Sequence, residues 1–220
     1  MKALTSSAQA KTRPNFAVQH LRVATQAARN AYDVEQANLT TDHGSWFEDM
    51  LMWVPVSVTM AAAALEANAN ELIQDILDGS TGLSLSEGCL TLLEDMKNES
   101  SGNTCDKYRR LALLSDKKPD RGMLVWQDAD FLIKFRNAIM HFKPAWDDDE
   151  IHSGKLVRGL KTRIPVYRAY KDSFQFPHGF ITYGCAKWSV ETVLNFSKSF
   201  STLLGVNDRF DLPHYDFTLP

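Results

Sequence analysis

Apolar side chains recur along this chain at spacings of three and four, the period of an amphipathic helix, in four long stretches parted by polar segments. The first runs from Phe16 to Asn38. Phe16, His20, Val23, Ala27, Ala31 and Val34 share a face there, and Asn15 is placed to cap it. The polar residues Asn38 to Ser45 read as a loop. The second stretch fills much of Trp46 to Leu77, with a stripe of Val58, Ala62, Leu65, Ala69, Leu72 and Ile76. Its alanines at 61–64 imply a closely approaching neighbour. Pro55 either kinks this helix or lies near the start of its main part, and Gly79 ends it. The third spans Trp126 to Lys143, with Phe131, Phe135, Ile139 and Phe142 on one side and Pro144 as the stop. The fourth covers Phe180 to Leu204, carries Ala186, Val190, Val193, Ser197, Phe200 and Leu204 on one face, and closes at Gly205.

The connections carry weaker patterns. Residues 80–122 form a polar excursion with room for short helices at Leu90–Met96 and Tyr108–Leu114 and a turn at Asn98–Asn103. Trp146 to Glu150 is an acidic turn, and the following stretch to Lys171 reads as a basic loop, extended around Arg163–Tyr167. Pro177-His178-Gly179 marks a turn. Residues 1–14 read as loose, whereas Phe210, Tyr215 and Phe217 suggest that the tail from 206 to 220 packs on the body. There is no internal repeat. The expectation is a single all-α domain, an up-down bundle of four or five helices with an irregular insertion before the third long helix.

Composition narrows the class. A chain of 220 residues with 44% hydrophobic content builds one sizeable core. A formal charge of −3 argues against a general nucleic-acid coat and leaves room for a local basic groove. Cys89, Cys105 and Cys185 are too few and scattered for a disulfide framework or a zinc site, and read as reduced thiols. The N-terminus lacks the apolar core of a signal peptide, and the uncharged run Met50–Leu65 falls short of the roughly 20 residues of a membrane span. The expected location is cytoplasmic, with no membrane partner. His152, His178 and His214 lack metal-ligand spacing, and no phosphate-cradling glycine loop or nucleophilic serine or cysteine constellation stands out, so neither metal nor cofactor is expected.

The polar exceptions in the third stretch carry the candidate chemistry. Asn137 and His141 lie four apart and are neighbours on a helix surface. Arg136 stands roughly 140° away around the axis, within reach of the same edge for a long side chain. Together they offer an imidazole, an amide and a fixed cation at a helix end. On the second helix, Glu66 and Asn70 sit at the edge of the core. They serve either as a polar bridge between helices or, for Glu66, as a partner that presets the direction of Arg136. Lys155, Arg158, Lys161, Arg163, Arg168 and Lys171 form either a track for an RNA backbone or a solvated surface balanced by the acids before it. Trp126, Trp146, Trp188, Tyr167 and Phe176 are candidate stacking residues that double as core candidates, with Trp146 the strongest for stacking.

Arg136-Asn137-x-x-x-His141 resembles the R-x(4–6)-H motif of HEPN domains, in which a polar residue often follows the arginine. Glu66-x-x-x-Asn70-Glu71 is similar to a segment on that family's second helix, and Tyr183 to Glu191 to its last helix. The resemblance implies a helical bundle that dimerises and cuts RNA without metal, in the setting of a toxin, a phage-defence factor or a stress ribonuclease, with an antitoxin or inhibitor protein as a further partner. The implied chemistry is attack of a ribose 2′-hydroxyl on the adjacent phosphorus. His141 serves as acid or base, Arg136 holds the phosphate, and Asn137 orients one of them. One histidine does not easily fill both proton roles, and a two-fold dimer supplies the second. The alternative is a non-catalytic HEPN-like module that binds nucleotide, RNA or another protein, or a purely structural or regulatory helical protein.

Overall fold

Small residues decide how the first two helices meet. The computed structural model describes residues 13–41, 44–98, 103–144, 146 and 149–220. Helix α1 (Phe16–Ala37) starts at Asn15, whose side chain accepts from the Val18 N–H at 3.0 Å. It buries Ala17, Leu21, Ala24, Ala28 and Ala31, while Phe16 and Val23 are 56% and 47% exposed. Of the expected face, Ala27 and Ala31 are buried and His20 and Val34 half-buried, whereas Phe16 and Val23 face out, so the buried side is rotated toward the small residues. The reason lies in α2 (Trp46–Leu77), whose buried alanines 61, 62 and 64 let the two backbones come close. At the contact, the Ser57 hydroxyl bonds Ala24 O at 3.0 Å. It also reaches Ala186 O and Ser189 Oγ of α7 (Tyr183–Leu204), each at 3.3 Å. These partners satisfy a polar group in a dry interior.

α2 runs unbroken through Pro55. Its expected stripe of Val58, Ala62, Leu65, Ala69, Leu72 and Ile76 is buried throughout, as is that of α7. α2 ends before Gly79, and α7 before Gly205; both glycines have a positive φ, as helix-terminating glycines do. Glu71 of α2 accepts from the N–H groups of Phe16 and Ala17 at 2.7 and 3.1 Å, which sets the α1 N-terminus beside the far part of α2 and makes the pair antiparallel. A carboxylate at that helix start also complements its partial positive charge.

The polar excursion contains α3 (Glu87–Asn98) and α4 (Thr104–Leu114), as their apolar spacing predicts; most of the expected turn between them lies outside the described residues. Tyr108 of α4 is fully buried, donates to Leu65 O at 2.9 Å and accepts from Asn68 Nδ2 at 3.0 Å. Its ring stands edge-on to Phe196 and Phe200.

α5 (Leu124–Met140) is antiparallel to α7: Trp126 near its start packs on Phe196, and Phe135 near its end packs on Phe180. The long helices α1, α2, α5 and α7 therefore alternate in direction. α5 stops three residues earlier than its spacing suggests, with His141 as its C-cap. Its buried side is built from Trp126, Ala129, Leu132, Ile133 and Phe135, whereas Phe142 is 39% exposed. Pro144 holds Lys143 out of helical geometry, so the chain leaves the bundle before Phe142 can join the stripe.

The first part of the basic stretch after α5 is not the loop its composition suggests but a helix, α6 (Lys155–Lys161), anchored by buried Val157 and Leu160; the part from 162 to 171 is irregular, with a short 3-10 turn over Arg168–Tyr170. Pro177-His178-Gly179 leads into a short 3-10 turn over His178–Phe180. The C-terminal segment packs through buried Phe210 and Phe217. Arg209 fastens it to α2, and Arg29 to Asp216 at 2.9 Å does so to α1. The architecture is all-α, with no strand among the described residues. By length and composition α2 is apolar enough to cross a membrane, which exceeds the reading from its uncharged run, and 44% of its most apolar stretch is buried within the bundle.

Candidate functional site

The end of α5 leaves His141 in solvent. Its backbone N–H closes the last turn on Asn137 O at 3.0 Å, and its side chain has no hydrogen-bond or ion-pair partner among the described residues. Asn137 is exposed one turn earlier. Arg136 leans the other way. Its Nη2 lies 3.3 Å from Glu66 Oε2, with the arginine side chain 26% exposed and the glutamate 46%. Arg136 Nε is buried with no partner. The guanidinium is therefore held from one side by one carboxylate; its Nε faces the interior, and its terminal nitrogens are the donors a ligand can reach. An arginine with unused donors and an exposed histidine five residues on, both at one helix end, are suited to receive an oxyanion if their side chains converge on it.

Glu66 and Asn70 part company. Glu66 reaches α5, whereas Asn70 is exposed and accepts from Lys107 Nζ of α4 at 2.9 Å, so only Glu66 joins Arg136. Met140 is 57% exposed and contacts Thr59 of α2 through its sulfur at 3.9 Å. Sequence spacing alone did not single out this apolar neighbour of the site.

The basic residues divide by environment. Arg163 is mostly buried, pairs with Asp128 at 2.6 Å and lies over the Phe131 ring at 4.2 Å. Arg168 donates to the carbonyls of Asn38 and Thr41 and ties the loop after α1. Lys161 sits 4.0 Å over the Phe174 ring, and Arg158 donates to Ser153 O at 2.6 Å. Lys155 and Lys171 are exposed. The six cations do not form one uniform track: Arg163 and Arg168 bind the fold together, and the others line its surface.

The aromatics divide as cleanly. Trp126, Tyr167 and Phe176 are 5%, 5% and 2% exposed and belong to the core, Trp188 is half-buried, and Trp146 is 83% exposed. His152 is buried and bridges Phe176 N to Trp146 O at 2.9 and 3.0 Å. His178 stacks on Phe47, and burial lowers its pKa against the opposing pull of Glu48. Among the described residues no group of three or more His, Cys, Asp or Glu side chains gathers at metal-binding range. The cysteines are free thiols; burial pushes Cys105 up to about 12, with Asp130 adding to it, and burial raises Cys185 further.

No protein-family model, curated protein or solved structure matches this chain.

Proposed function

We propose that the protein is a metal-independent endoribonuclease of the HEPN type that works as a homodimer. The observation that carries this reading is the end of α5: a solvent-facing His141 follows, by one helical turn and a residue, a partly exposed Arg136 held by Glu66 at 3.3 Å through one terminal nitrogen. In the reaction, a base takes the proton of a ribose 2′-hydroxyl and a bond forms from that oxygen to phosphorus. The bond from phosphorus to the 5′-oxygen breaks, and the leaving oxygen is protonated. The products are a 2′,3′-cyclic phosphate and a 5′-hydroxyl. His141 carries one proton and its copy in the second chain the other, while Arg136 offsets the charge that builds on the equatorial oxygens. Asn137 orients the imidazole or the phosphate.

The dimer reading draws support from α2. Met52, Val56, Thr59, Ala63, Glu66 and Asn70 are spaced alternately four and three apart on the side of α2 that is not fully buried. That spacing is the seam of a coiled coil. Its first four members are apolar or weakly polar, and exposed Met140 adjoins Thr59. A two-fold axis on this seam brings two Glu66–Arg136 pairs toward each other.

Expression in a bacterial host tests the reading. Wild-type chain is expected to slow growth and shorten cellular RNA, and His141→Ala at equal soluble yield is expected to do neither. Equal behaviour of the two chains contradicts it and favours a binding module.

A further inference from the structure

Large aromatic rings are seldom left in water, yet Trp146 is 83% exposed. Its backbone is fixed on both sides. The Trp146 N–H donates to Asp149 Oδ2 at 2.7 Å, and its carbonyl lies 3.0 Å from His152 Nε2. The His152 Nδ1 accepts from the Phe176 N–H at 2.9 Å, which leaves the ring proton on Nε2 to donate to Trp146. A buried histidine and an aspartate thus hold in place a residue whose own ring packs on nothing that hides it.

Glu150 and Ile151, which follow Trp146 in the chain, line a cavity, as does Phe176, whose N–H the same His152 holds. Beside the end of α5, Ala138, Ile151, Leu156, Val157 and Phe176 wall a slot of about 270 Å³, with Glu150 and Lys155 at its rim. This is just below the roughly 300–1,000 Å³ of sites for drug-sized ligands and suits one flat ring system. Lys143 and Lys155, on either side of Trp146 in the chain, are exposed and have no ion-pair partner among the described residues. Of the acids in this turn, Asp149 is engaged by the Trp146 N–H and Glu150 stands at the slot; Asp147 and Asp148 lie outside the described residues.

We infer that Trp146 and the adjoining slot form a base-binding subsite for single-stranded RNA, with one unpaired base stacked on the indole and the flanking phosphates met by Lys143 and Lys155. The ligand class rests on the ribonuclease reading above. Stacking on an aromatic side chain tolerates any base, because every base has a π-face. The Glu150 carboxylate, an acceptor only, favours a base that presents an amine. Ala138 of the slot wall belongs to the same end of α5 as Asn137 and His141, so on the ribonuclease reading a base held here sets where along the strand the cut falls.

The experiment measures binding of a short RNA hexamer whose 2′-oxygens are methylated. Such a strand has no nucleophile, and binding is read apart from cleavage. Fluorescence anisotropy on the wild type, Trp146→Ala and Trp146→Phe is repeated with hexamers carrying one abasic residue at successive positions. Removing a stacking ring is expected to weaken binding roughly 5- to 150-fold, and phenylalanine is expected to restore most of it. One abasic position is expected to weaken wild-type binding by a similar factor and Trp146→Ala no further. An unchanged melting temperature in Trp146→Ala separates this from unfolding. Equal affinities in wild type and Trp146→Ala overturn the subsite, as does absence of any binding. A lower oligomeric mass of Trp146→Ala at unchanged RNA affinity also overturns it, and makes the indole a protein contact. Trp146-dependent binding in a chain that cuts no unmodified RNA upholds the subsite and sinks the nuclease. Cleavage with no dependence of binding on Trp146 does the reverse.

Discussion

Two arginines approach α2 within a few turns of each other and lead opposite lives. Arg209, from the C-terminal segment, is 17% exposed and has its donors spoken for. Its Nε meets Asn68 Oδ1 at 3.0 Å, its Nη2 pairs with Asp75, and its Nη1 lies 3.2 Å from Glu71 Oε2, an ion pair rather than an aligned hydrogen bond. Glu71 in turn caps the start of α1. Arg136 meets one half-exposed carboxylate and keeps a buried Nε without a partner. The first arrangement closes on itself and fastens three parts of the chain. The second is incomplete as it stands. Charge and residue type are the same in both, so the difference lies in how many donors the fold consumes, and a guanidinium with donors to spare is the one that can grip a phosphate.

Mutations sharpen that contrast. The largest effect is expected at His141. Replacing an acid–base group by alanine lowers cleavage about 10²- to 10⁴-fold, and because the side chain is exposed the melting temperature should stay put. Purified enzyme, a fluorogenic RNA and a thermal melt measure both. Next comes the exchange of fates between the arginines. Arg209→Ala removes the bond to Asn68 and the ion pairs with Glu71 and Asp75, which keep the α1 N–H groups and Arg13 respectively, and should destabilise by about 2–4 kcal/mol in a urea titration. Arg136→Ala should cost under about 1 kcal/mol, given the exposure of Glu66, yet remove most cleavage. If Arg136→Ala unfolds the protein and Arg209→Ala does not, the comparison is inverted.

A smaller effect is expected of His152→Ala. It leaves the buried Phe176 N–H without its acceptor and should destabilise by about 1–3 kcal/mol, read from the same titration. The smallest is an alkaline one. Burial moves the Cys105 thiol from 9.0 to about 12, so between those limits the unfolded chain releases a proton that the folded chain keeps. Stability from this group is whole below pH 9 and falls as pH rises toward 12. Cys105→Ala should therefore flatten part of the decline in melting temperature over that range, and a parallel decline in both chains would contradict it.

What the sequence disclosed was mostly local. Asn15 starts α1 through its side chain, Gly79 and Gly205 end helices through their backbone, and the stripes of α2 and α7 follow from spacing alone. The buried face of α1 followed only in part: Ala27 and Ala31 are buried as their spacing suggests, but the small residues of α2, rather than the size of Phe16 or Val23, choose the rest. α6 escaped notice because only Val157 and Leu160 anchor it among cations. At the candidate site, Arg136 and His141 stand out as polar breaks at a helix end, and Glu66 offers itself as a partner. The Lys107–Asn70 bond and the pairing of Arg163 with Asp128 join residues 37 and 35 positions apart, a distance that spacing rules do not span.

The most direct measurement is chemical. Purified chain is incubated with a defined single-stranded RNA in excess chelator, and the new ends are identified by mass spectrometry. The account predicts fragments with 2′,3′-cyclic phosphate and 5′-hydroxyl ends from the wild type, and intact RNA from Arg136→Ala and His141→Ala. Intact RNA with the wild type, or the same fragments from all three chains, would contradict it.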